Sequence, residues 1–213
     1  MKALNMKSRV HYVASETVAR EASKLIAETF DISVRFPKQV FRTMYNEYLF
    51  SDYDWLLSAR FWDWIEKNES TKFDEILIYV IDPDPFEYFY ANFGKFNILR
   101  LEAGATSAEY ISAIKDFPSE WSPDSIMLSS SVIVVLPKSK SWGIWGERRT
   151  NLCVLGSAGW PTKVGIAGPW KTLQGALDGW VGLEFEGFCV PSDFRQAMIQ
   201  SFGRCPNMQS EEM

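Results

Sequence analysis

A chain of 213 residues with 46% hydrophobic and 15% aromatic content has enough apolar surface for a sizeable core, which excludes global disorder. Its formal charge of −5 and isoelectric point near 5.1 disfavour nucleic acid as a partner. No apolar run approaches the roughly 20 residues of a membrane span.

Residues 1–12 carry little pattern, either a loose terminus or a short first strand. The stretch MKALNMKSRVHY has no apolar segment, so no signal peptide is expected. Ser15 is a plausible N-cap, and Val18, Ala22, Leu25, Ile26 and Thr29 share one helical face after it. A second helix is predicted from Pro37, with Val40, Phe41, Met44, Tyr45, Tyr48 and Leu49 at helical spacing. A third starts near Ser51. Its main stripe, Tyr53, Leu56, Leu57, Arg60, Phe61, Trp64 and Ile65, is flanked by a second stripe of Trp55, Ala59 and Trp62. Leu57, Phe61 and Trp64 are expected to face the core, leaving Asp52, Asp63 and Glu66 in solvent.

Residues 76–81 (ILIYVI) predict a buried strand, stopped by Asp82-Pro83-Asp84-Pro85. A short helix to Gly94, a strand over 95–102 and a helix over 107–116 follow. Ser131–Leu136, Trp142–Trp145 and Asn151–Leu155 then predict an antiparallel meander. Residues 156–168 read as a glycine- and proline-punctuated loop, and 170–180 as a helix interrupted by glycines. The last predicted helix runs from a Ser192 cap to Gly203. This order predicts one α+β domain over residues 1–205, with helices from both chain ends packed on one face of a mostly antiparallel sheet. A disordered tail is expected over 206–213.

Chemistry-bearing residue types are sparse. Three cysteines (Cys153, Cys189, Cys205) lack metal-site spacing and read as reduced thiols of a cytosolic protein. One histidine, His11, argues against a multi-histidine metal site or a Ser-His-Asp triad. Asp82 and Asp84 read as part of a rigid strand-ending turn rather than a metal site. Neither a cofactor nor a metal is expected, and no catalytic residue is assigned.

The charge is uneven. Between Asn46 and Tyr90, eleven acids oppose three bases, a net of −8 with aromatics interleaved. Carboxylates steer a cationic partner, and Trp and Tyr supply rigid anchors at interfaces. Asp52, Asp54, Trp55, Trp62, Asp63 and Glu66 are therefore candidate contacts for a basic protein. The acids could instead flank a sugar site, with tryptophans near glycines (Trp142, Trp145, Trp160, Trp170, Trp180) as stacking platforms.

The run Trp142-Gly143-Ile144-Trp145-Gly146-Glu147-Arg148-Arg149 is the most distinctive local feature. Alternation sets Trp142 and Ile144 on one face, with Trp145 near the turn. Trp145, Glu147 and Arg148 join the candidate contacts, the latter two pairing with each other or with a partner. Followed by the apolar Asn151–Leu155, the run resembles a W-x-I-W-G-[DE]-R hairpin of small bacterial proteins, some of them immunity proteins that neutralise toxins. The resemblance covers about 15 residues. It implies a cytosolic, non-enzymatic protein that binds and blocks a toxin; the acidic charge and the short apolar runs separately lead us to expect neither nucleic acid nor membrane as partner.

Overall fold

A computed structural model describes residues 10–68, 75–102, 104–158 and 169–203. The protein is α+β. Among the described residues, seven strands form one antiparallel sheet: β1 (Val10–Tyr12), β2 (Glu47–Ser51), β3 (Glu75–Asp82), β4 (Ile98–Glu102), β5 (Val132–Pro137), β6 (Trp142–Glu147) and β7 (Leu152–Ser157), in the order β1-β4-β3-β5-β6-β7-β2. The meander β5-β6-β7 forms as the turn residues predict. Asn151, at φ 45°, closes its second connection.

Helices cover both faces of the sheet, not the single face expected. Strand alternation shows why. In β3, Leu77 and Tyr79 enter one core and Ile76, Ile78 and Val80 the other. In β5, Val134 and Leu136 part from Ile133 and Val135 in the same way. Strands apolar on both sides need cover on both sides. α1 (Glu16–Thr29) and α8 (Ser192–Phe202) close the first core. α2 (Tyr53–Leu56), α3 (Ala59–Asn68), α5 (Ser107–Lys115) and α6 (Ile126–Ser129) close the second.

Between β3 and β4, a π-helical turn over Pro85–Tyr90 runs into α4 (Ala91–Phe93), which ends at Gly94 in the left-handed region, φ 64°. Asp84 caps this turn, its Oδ1 accepting from the backbone N of Phe86 at 2.8 Å and of Glu87 at 2.6 Å. Thr106 and Glu109 form a capping box at the start of α5.

Four further expectations are corrected. Residues 37–49 are not helical: turns lead into β2, which pairs with β7 at the end of the sheet. Val40, Phe41 and Tyr45 are buried, but Met44, on the same predicted stripe, is 81% exposed. The open ladder of β7 outweighed helical periodicity. The helix predicted from Ser51 is broken at Leu57–Ser58, with Asp52 rather than Ser51 capping its first half. Within 170–180 only α7 (Leu173–Leu177) is α-helical, capped by Thr172, and Pro191 rather than Ser192 is the N-cap of α8. Trp160, Cys205 and the tail lie outside the described residues.

Candidate functional site

Within the acidic segment, Asp54, Asp63 and Glu66 stand on the helices that cover the second core, whereas Glu47, Glu75 and Asp82 lie on strands and Asp84 caps the π-helical turn. Asp52 is half-buried, and its Oδ1 accepts from the Trp55 N–H at 2.9 Å, so this carboxylate starts α2. Asp54 and Glu66 are exposed and Asp63 is half-exposed. Their three carboxylates form no hydrogen bond or ion pair with a described residue. The Glu66 carboxyl is pushed above its ordinary range by partial burial and then by Asp63, three residues before it on α3.

The aromatics beside these acids point inward. Leu57 and Phe61 are buried as expected. Trp64 is only half-buried, whereas Trp62 is fully buried and donates its indole N–H to the Ala105 carbonyl at 2.6 Å. Trp55, at 9% exposure, meets Trp170 and Trp64 edge to face, with ring centroids 5.1 and 5.6 Å away. Burial therefore removes Trp62 as a contact and leaves Trp55 only a margin. That margin, with Trp64, Arg60 and Pro169, lines a surface pocket of about 310 Å³.

The hairpin residues are also consumed internally. Trp145 lies on the face opposite Trp142 and Ile144, is fully buried, and donates its indole N–H to Glu147 Oε1 at 2.8 Å. Glu147 is itself buried, and the same oxygen accepts from the Phe36 N–H at 2.9 Å. Burial pushes its carboxyl upward against the pull of these donors and of Arg35 and Arg149. Arg148 turns the other way. It donates to the Ser130 and Met127 carbonyls, both at 2.8 Å, and lies 4.9 Å over the Tyr53 ring. Glu147 and Arg148 thus do not pair, because successive residues leave a strand on opposite faces. Neither Trp145 nor Glu147 reaches a partner, and Arg148 is spent on α6.

Of the proposed sugar platforms, Trp142, Trp145 and Trp170 are buried and Trp180 is half-buried, its indole donating to the Asn151 carbonyl at 3.0 Å. Cys153 is buried, and burial holds its thiol well above its ordinary value. Among the described residues no group of three or more His, Cys, Asp or Glu is placed to hold a metal ion, and no helix is long and apolar enough to cross a membrane.

Sequence reasoning passed over Trp121, which is 92% exposed on the loop between α5 and α6. Its signal was weak: one tryptophan in SEWSPD, outside the −8 segment.

Compared with protein-family models, curated proteins and solved structures, the chain has no match.

Proposed function

We propose that this protein is a non-enzymatic, cytoplasmic binding module, an immunity-type inhibitor that occludes a basic protein toxin. The observation that supports this reading is the set of outward carboxylates on α2 and α3. Asp54, Asp63 and Glu66 have no cationic partner among the described residues, and two of them repel each other. A lysine or arginine delivered between Asp63 and Glu66 would relieve that repulsion and be steered there by the segment's net charge. The carbohydrate reading has less support, since most of the tryptophans it needs spend their ring faces inside the core.

Capture of basic proteins by the immobilised wild-type chain, beside an Asp63→Lys/Glu66→Lys variant, tests the reading. Retention of a basic toxin by the wild type, lost in the variant, supports it. Equal retention by both, or turnover of a small substrate without any protein partner, refutes it.

A further inference from the structure

A second edge of the same helical layer combines exposed aromatic surface with an excess of negative charge. Trp121 is 92% exposed, and Phe117 (51%), Leu128 (59%) and Tyr88 (42%) accompany it. Large apolar side chains this open to solvent are uncommon when clustered, and they mark contact surfaces. The first three lie within one short stretch of chain. Tyr88 joins them from the π-helical turn, its hydroxyl donating to Asp124 Oδ2 at 3.3 Å. Ser122 donates to the same oxygen at 2.6 Å, which fixes the loop on which Trp121 stands.

Acids predominate around these residues. Neither residues 82–94 nor residues 116–130 contain a lysine or arginine, while they hold Asp82, Asp84, Glu87, Asp116, Glu120 and Asp124. Lys95 and Lys115 flank the two stretches, and the Arg20 guanidinium lies 5.2 Å over the Phe86 ring. Arg148 approaches from within, but its guanidinium donates to the Met127 and Ser130 carbonyls. Asp124 is met by hydroxyls alone, and the Glu120 side chain forms no hydrogen bond or ion pair with a described residue.

We propose that this edge is a docking surface for a lysine- or arginine-rich segment of a protein partner, anchored by Trp121. The proposal rests on the reading of the chain as a binder of a basic protein and supplies that reading with an aromatic anchor, which Trp55, Trp62 and Trp145 do not provide. The indole face of Trp121 would take a guanidinium or the stem of a lysine, with Glu120 and Asp124 holding the charge.

The test is titration of the full chain with a labelled oligo-arginine peptide, with an oligo-glutamate peptide as control. Two readings are taken: peptide anisotropy, and the Trp121 indole N–H resonance, identified by its loss in Trp121→Phe. The expected result is a shift of that resonance on peptide addition. Affinity should fall about two- to fivefold in Trp121→Ala, the range of an exposed cation–π contact, and again in Glu120→Lys. Both side chains are exposed, so neither change should disturb folding. Peptide binding that moves Asp63 and Glu66 but leaves Trp121 and the Trp121→Ala affinity unchanged overturns the docking edge and leaves the broader reading standing. Absence of peptide binding also overturns the edge, while the capture experiment with folded basic proteins decides the broader reading separately. A Trp121 resonance that responds to protein concentration without peptide would assign the patch to self-association and overturn the proposal.

Discussion

Glu147 is a carboxylate inside a hydrophobic layer, held by the Phe36 N–H and the Trp145 indole. It ties the segment after α1 to the end of β6. Glu147→Ala would orphan both buried donors, and chemical denaturation should show a loss of about 1–3 kcal/mol per donor. Its pH behaviour has a definite sign. Burial raises the folded-state pKa, so the folded protein binds this proton more tightly than the unfolded chain does. The associated stability is fully present below the unfolded-state pKa and is lost as pH rises through the raised folded value. Glu147→Gln is neutral at every pH and lacks this slope. The stability of wild type minus variant should therefore fall with rising pH across that window. A rise instead would mean that Arg35 and Arg149 outweigh burial.

At the scale of elements, two glycines separate the requirements of sheet and helix. A Cβ on Gly156 of β7 would lie 2.3 Å from Cδ2 of the buried Tyr45 ring. Gly156→Ala should cost about 1–3 kcal/mol in a denaturant melt, because a packed ring must move. At Gly175 in α7 the nearest atoms are 3.4 Å away, an ordinary contact. Gly175→Ala should be neutral or stabilising by up to about 1 kcal/mol through helix propensity. Elements whose own pattern decided their structure were legible in the sequence: the periodic face of α1, the continuous apolar β3 and β5, and the proline stop at residues 83–85. Residues 37–49 were not, since their apolar spacing satisfied a helix while β7 offered them a ladder. The candidate site divided in the same way. The helical phase of α3 put Glu66 outside. The indoles failed as contacts because residue type tells that a tryptophan anchors something, not whether the anchor is a partner or the protein's own core.

For the whole molecule, the formal charge is −5, and α2 and α3 carry exposed acids. Association with a basic partner should slow as salt screens them, with the association rate falling more steeply than the dissociation rate changes. In Asp63→Lys/Glu66→Lys that salt dependence should flatten, while the thermal midpoint stays close to that of wild type. Stopped-flow kinetics across an ionic-strength series would read both rates. The order of the sheet has a further consequence, for assembly in time. β1 and β2 precede the other described strands in the chain yet occupy the two margins of the sheet, and β2 at residues 47–51 has its only strand partner among the described residues at 153–157. During synthesis both margins emerge long before the strands they join. The loop-closure entropy of those pairings must be met before any contact rewards it. Folding should therefore start from the local meander β5-β6-β7, and nascent chains ending before β7 should be held soluble only by chaperones, with the aromatic surfaces of α2 and α3 uncovered.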